Sequence, residues 1–276
     1  MSRSKRRGIA QDTLAKLEQG YYINALSEWV NFKTEQETAL ANTILYRPED
    51  ADKLLENHTT QPIEVKTAFE AINETTLDAV RRLVKEGEEQ ILCLNFASAK
   101  NPGGGFLGGS RAQEESIARA TGLYPCLLKC RPYYDANRPT TDGLYTDHMI
   151  YAPNVPVIKY ENGDLMEQVA LVSIITAPAV NAGVVRRRTK KNHKLIEPTM
   201  RRRIAKVLAI AQEHGHQVLV LGAWGCGVFQ NDPELVAQWF EDALEGAFKN
   251  QFKRVVFAVY AKDEHKFLRP FAKRFG

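Results

Sequence analysis

The sequence of 276 residues has no apolar run of the ~20 residues needed to cross a membrane. Its basic start, "MSRSKRRGIAQDTL", lacks the apolar stretch of a secretory signal, so a soluble cytoplasmic protein with no membrane association is expected. Cysteine is scarce: Cys93, Cys126, Cys130 and Cys226 show none of the C-x-x-C pairing of a zinc site or a secreted disulfide framework. All four are expected to be reduced, with Cys126 and Cys130 on one helical face as core residues and no metal bound. Internal repeats and low-complexity tracts are missing. So is a strong charge of one sign: 37 Lys and Arg against 33 Asp and Glu leave +4, too mild to imply nucleic-acid binding but compatible with a polyanionic ligand.

What the chain does have is apolar content, 44%, enough for a sizeable core in one large domain or two small ones. From Gln11 to about Asn57 the spacing is helical, through "DTLAKLEQGYYINAL", "TEQETALANTILY" and "PEDADKLLEN" opening on Pro48. This predicts a helical N-terminal extension over 1–61. After Pro62 apolar segments alternate with amphipathic helices: "IEVKTAFEAI", then "TTLDAVRRLVKEG" with Thr75 and Thr76 as candidate caps, then the strand-like "QILCLNFA". A helix is expected from about Ala112 to Lys129, a long loop from Arg131 to Gly143, and strands in "DHMIYAPNVPVIKY" and "VALVSIITAP". A basic helix over Lys190 to His214, the strand of "QVLVLGAWGCGVF", the helix "DPELVAQWFEDALEGAF", the strand "RVVFAVYA" and the helix "DEHKFLRPFAKRF" complete the chain. Alternation of this kind predicts an α/β fold with a mixed sheet covered on both faces.

The stretch "NPGGGFLGGSRAQEES", Asn101 to Ser116, places five glycines in seven positions ahead of two adjacent glutamates. Gly103, Gly105 and Gly108 fit G-x-G-x-x-G, but the dinucleotide reading fails. "ASAKNP" separates strand from glycine, and no second strand ends in an acidic residue about 20 positions on. A phosphate-binding Walker pattern fails too, because Gly109-Ser110 stands where Gly-Lys-Ser is required. There remains a loop whose bare N–H groups can wrap an anion at a helix start. A second such loop, Gly222 to Gly227, follows a later strand, and two loops suit a diphosphate. Either taken alone is equally readable as a tight turn. Neighbours on a helix diverge by roughly 100°, so Glu114 and Glu115 are expected to divide tasks rather than flank one bond.

Gly103-Gly104-Gly105, seven residues, then Gln113-Glu114-Glu115 resembles the signature of poly(ADP-ribose) glycohydrolases of the compact microbial type. The likeness extends through "NETT", "NFASAKNPGGG", "ITAPAVNAG" and "LGAWGCGVFQNDP", from about residue 62 to the C-terminus. It implies a macrodomain-like catalytic domain over 62–276, cleavage of ribose–ribose O-glycosidic bonds to release ADP-ribose, and no cofactor. It implies Glu115 as general acid and base, Glu114 holding ribose hydroxyls, and Asn101, Gly103, Gly104, Gly105 and Gln113 around the ribose. Gly225, Cys226, Gly227 and Val228 would wrap the diphosphate and Phe229 would pack over the distal ribose. Tyr260 is the candidate for stacking adenine, or else a core aromatic; Glu74 is a candidate reader of the adenine amino group, or else a helix cap. A carboxyl facing a bound diphosphate has its charged form disfavoured, which suits a general acid at neutral pH. The expected partners are poly(ADP-ribose), ADP-ribose and poly(ADP-ribosyl)ated proteins, met by a monomer. Two other readings stay open: a macrodomain that binds ADP-ribose without cutting it, and a hydrolase of mono-ADP-ribosylated targets. The run "VVRRRTKKNHK" is either a solvated basic face or a steering surface for the polymer.

Overall fold

The alternation of apolar segments and amphipathic helices resolves, in a computed structural model, into one seven-stranded mixed sheet with helices on both faces. The structure describes residues 1–57, 66–188 and 190–276. The boundary expected between residues 61 and 62 lies outside them, as do the first residues of "IEVKTAFEAI" and Thr189 of the basic run.

The N-terminal segment opens with helix α1 (Arg3–Gln19), capped by Ser2, whose Oγ accepts the Lys5 N–H at 3.2 Å. The hairpin strands β1 (Tyr21–Ile23) and β2 (Trp29–Asn31), helix α2 (Lys33–Ala41), strand β3 (Ile44–Tyr46) and helix α3 (Pro48–Glu56) follow. The wholly helical expectation is therefore corrected at three short strands. "YYI" and "ILY" are aromatic and β-branched, and each finds a backbone partner that a helix count along the chain does not reveal.

Next come β4 (Ala68–Ile72), α4 (Thr76–Lys85), β5 (Ile91–Phe96), α5 (Gln113–Ala120), α6 (Leu123–Lys129) and α7 (Arg131–Asn137). They are followed by β6 (Met149–Lys159), β7 (Leu165–Ala177), α8 (Ala182–Arg188), α9 (Ile196–Glu213) and β8 (Val218–Leu221). The chain ends with α10 (Pro233–Glu245), β9 (Arg254–Ala258), α11 (Glu264–Phe267) and α12 (Arg269–Phe275). The single helix expected over 112–129 is broken at Thr121 and Gly122. Thr121 is extended and bridges Val157, and the Gly122 N–H donates to Pro156 O at 2.9 Å, so β6 captures the backbone there. The loop expected from Arg131 holds α7, whose Tyr133 and Tyr134 are buried. The basic helix starts later than expected, at Ile196, after a tighter turn over Lys190–Leu195. The last helix is split at Leu268, where Pro270 opens a new one.

Strand order is β3-β6-β7-β5-β8-β9-β4. From β7 to β4 all neighbours are parallel, while β6 runs antiparallel to both β7 and β3. One face is covered by α3, α9, α10 and α12, the other by α2, α4, α5, α6 and α7. The parallel strands all end on the same side, where open α/β sheets bind ligands. The cavity there takes its walls from the segments that follow β4, β5, β7, β8 and β9.

Candidate active site

Three successive residues at the start of α5 each grip a different piece of backbone. Gln113 Oε1 accepts the Phe96 N–H at 2.8 Å, and its Nε2 donates to Leu94 O at 2.8 Å and Thr76 Oγ1 at 3.0 Å. Glu114 Oε2 accepts the Ser98 N–H at 2.6 Å, and Glu115 Oε1 accepts the Gly105 N–H at 3.0 Å. The amide of Gln113 is thus spent on β5 and α4. Those bonds fix α5 against the strand end, and the residue also lines the cavity where its contact with substrate is expected.

The divergence expected of the two glutamates is corrected, because both carboxylates turn toward one glycine. Gly104 has φ +60°, and a Cβ there would lie 2.5 Å from Glu115 Oε1 and 3.0 Å from Glu114 Oε2. Only a residue without a side chain can fold the loop over both groups. Glu114 is 3% exposed and Glu115 9%. Glu114 Oε1 and Glu115 Oε2 are buried and meet no hydrogen-bond donor of suitable geometry among the described residues, and both residues line the cavity. Burial pushes the Glu114 carboxyl up to about 8, against the Ser98 N–H that favours its charge, with the neighbouring charge of Glu115 adding to the rise.

The second glycine loop is held by Asn231, whose Nδ2 donates to Val180 O at 2.7 Å and to Gly225 O at 3.1 Å. Gly225 has φ +74°, and a Cβ there would stand 2.5 Å from both Ala179 Cβ and Asn231 Nδ2. The N–H groups of Gly227, Val228 and Phe229 donate to no acceptor among the described residues, and Val228 is 82% exposed. These are free donors of the kind that bind phosphate oxygens. Cys226 departs from the expectation: its N–H is used by Ala223 O at 3.1 Å, its side chain is buried, and burial pushes its thiol well up. Phe229 lies beside Tyr145, ring centroids 5.9 Å apart, on the cavity wall.

At the other end Tyr260 is 64% exposed on the rim, which removes its reading as a core aromatic. Glu74 lines the cavity, but both its oxygens face Arg82, at 2.7 Å from Nη2 and 3.4 Å from Nε. The cap of α4 is Thr75, not Glu74. Asn101 is exposed at the cavity edge, its carbonyl taking the Gly104 N–H at 3.0 Å. The cavity that unites these groups measures about 1150 Å³.

Sequence reasoning missed three supports. Ser98 holds Glu114 with its N–H and turns the loop by accepting the Asn101 N–H at 3.1 Å on Oγ. Tyr133, buried on α7, donates to Ser98 O at 3.5 Å. Asn231 closes the second loop. Ser98 and Asn231 fall inside "NFASAKNPGGG" and "LGAWGCGVFQNDP", the stretches that carry the likeness, but nothing in them marks either residue as a support, and Tyr133 lies in no motif. Among the described residues no cluster of His, Cys, Asp and Glu is fit to hold a metal, and no helix is long and apolar enough to cross a membrane.

The family model of the microbial-type PARG catalytic domain matches residues 10–160. The crystal structure of poly(ADP-ribose) glycohydrolase from Thermomonospora curvata is 43% identical, with 98% of this chain and 99% of that one covered and a TM-score of 0.93. The same enzyme bound to the inhibitor ADP-HPD matches over the same shares, at 43% identity and a TM-score of 0.90. The Deinococcus radiodurans enzyme in complex with ADP-ribose is 43% identical over 87% of this chain and 96% of that one, with a TM-score of 0.82. No curated protein matches the chain. A mixed sheet between helices, a glycine loop folded over paired carboxylates and this degree of likeness lead to one conclusion: the chain belongs to the microbial-type poly(ADP-ribose) glycohydrolase family.

Proposed function

We propose a division of labour for the hydrolysis of ribose–ribose bonds in poly(ADP-ribose), with ADP-ribose as product. The observation that carries it is the pair of partnerless carboxylate oxygens, Glu114 Oε1 and Glu115 Oε2, buried at the wall of the cavity. Buried acceptors without partners cost about 1–3 kcal/mol each, and a ribose with hydroxyl groups relieves that cost on binding.

The terminal unit lies with its diphosphate on the free N–H groups of Gly227, Val228 and Phe229, its adenine toward Tyr260 and its distal ribose under Phe229. Glu115 gives a proton to the glycosidic oxygen as the bond to the anomeric carbon breaks, and the electron pair leaves with that oxygen. The hydroxyl of the next unit departs. Positive charge on the ribose is stabilised by the adjacent diphosphate. Water then adds to the anomeric carbon and returns its proton to Glu115, which restores the site. Glu114, neutral below about 8, holds a ribose hydroxyl without repelling the diphosphate. Chains carried on poly(ADP-ribosyl)ated proteins are substrates through their free ends.

Steady-state assays on purified poly(ADP-ribose) test the roles. Glu115→Gln is expected to lower kcat by about a thousandfold or more while ADP-ribose still binds, consistent with loss of acid–base catalysis. Glu114→Gln is expected to raise KM, with kcat reduced far less. The reverse ranking would exchange the two roles, and unchanged turnover in Glu115→Gln would end the mechanism.

A further inference from the structure

The basic run singled out in the sequence takes no part in the cavity, yet it is rooted on the cavity wall. Helix α8 carries Arg186, Arg187 and Arg188, and the turn after it carries Lys190, Lys191 and Lys194. All six side chains are exposed, and none pairs with a carboxylate among the described residues. Their combined charge exceeds the +4 of the entire chain, so the remainder of the molecule is slightly acidic. Two hydrogen bonds join this element to the second glycine loop. The Gly183 N–H donates to Phe229 O at 3.0 Å, and Arg186 Nη1 donates to Gln230 O at 2.9 Å. Gly183 sits close against the side chain of Gln230, where a Cβ would lie 2.6 Å from Oε1. The helix is therefore fixed directly beside the residue that the proposed function places over the distal ribose.

That ribose is the point at which the terminal unit joins the rest of the polymer. Every further unit carries two phosphates, so a chain leaving the site past Phe229 is a strong polyanion next to six exposed cations that pair with no carboxylate among the described residues. We infer that α8 and the Lys190–Lys194 turn form an exosite for the polymer still attached to the leaving side of the scissile bond, which holds long chains near the active site between cuts. The inference rests on the glycohydrolase reading above and extends it to a preference for chain length. The contacts are electrostatic rather than bidentate: three arginines are followed by three lysines, and only Arg186 of the six is tied to backbone by its side chain among the described residues.

Chain-length dependence tests this. The shortest substrate, two ADP-ribose units with one scissile bond, barely reaches the exosite; chains of twenty or so units span it. A variant carrying Arg187→Gln, Arg188→Gln, Lys190→Gln and Lys191→Gln is expected to cut the dimer at the unchanged rate while kcat/KM on long chains falls about tenfold at low salt. In the wild type, activity on long chains is expected to fall with added salt more steeply than activity on the dimer, and the variant to lose that difference. A second variant that keeps the charges, Arg187→Lys, Arg188→Lys, Lys190→Arg and Lys191→Arg, is expected to behave as wild type. Equal rates of variant and wild type on long chains at low salt would overturn the exosite. So would tighter binding of single-stranded DNA than of poly(ADP-ribose) of equal charge, lost in the glutamine variant, which would assign the run to nucleic acid. A wild type that cuts neither dimer nor polymer would instead sink the glycohydrolase reading.

Discussion

Glu114 is the residue whose chemistry the fold changes most visibly. In the unfolded chain a glutamate releases its proton near 4.3, whereas in the folded site this one holds it until about 8. The folded protein therefore binds the extra proton between those values. Its contribution to stability is complete below about 4.3 and is lost as pH rises toward 8, at up to about 1.4 kcal/mol per pH unit. Glu114→Gln is accordingly expected to gain stability over wild type progressively between pH 5 and 8. Urea unfolding at a series of pH values measures this, and parallel stability curves for the two proteins would reject it. The paired glutamates at the cavity wall were legible because a glycine run followed at fixed spacing by Gln113-Glu114-Glu115 is a local pattern. Ser98, Tyr133 and Asn231 were not, because each acts on backbone brought to it only by folding.

Among the elements, α1 shows how much helical spacing leaves unsaid. Helical spacing is read in the sequence only from Gln11, whereas the helix begins at Arg3, and its first turns serve contacts about a hundred residues away. Arg3 Nε donates to Gly108 O at 2.9 Å and Arg6 Nε to Gly109 O at 2.8 Å, while Ala10 packs with Phe106 and Ala118. The helix thus clamps the far limb of the loop whose near limb touches Glu115. The double variant Arg3→Ala, Arg6→Ala is expected to melt close to wild type yet lose roughly 10- to 100-fold in kcat, as a loosened loop displaces reacting groups by fractions of an ångström. Steady-state kinetics beside a thermal melt decides it; a large drop in Tm with unchanged kcat would make α1 a purely structural element. α7 carries the same lesson. Pro, Asp and Asn suggested a loop, and burial of Tyr133 and Tyr134 outweighed that local preference.

For the whole molecule, the alternation of strands and helices was enough to anticipate the mixed sheet, but the place of the N-terminal segment within it was not. β3 pairs with β6, a strand about a hundred positions later, and no local pattern announces such a register. An ionic cluster secures the same region. Arg203 Nε reaches Asp147 Oδ1 at 2.8 Å, and Lys206 Nζ reaches both Asp147 at 3.2 Å and Asp52 of α3 at 2.8 Å. Burial alone would raise the Asp147 carboxyl, yet the hydrogen bonds and charges of Arg202 and Arg203 hold it well below the usual carboxylate range. Asp147→Asn would leave Arg203 and Lys206 buried without their shared anion, and a loss of about 3–5 kcal/mol is expected in urea unfolding. A loss below 1 kcal/mol would mean that the cluster is not what joins α3 to α9. The two partnerless oxygens beside Gly104 set a different limit on the molecule as a whole. Two buried acceptors without protein donors are a local cost to the fold, so its most durable version and its most capable version differ in sequence. Heritable change that rewards toughness alone would drift, one carboxylate at a time, toward a well-folded but inert lookalike.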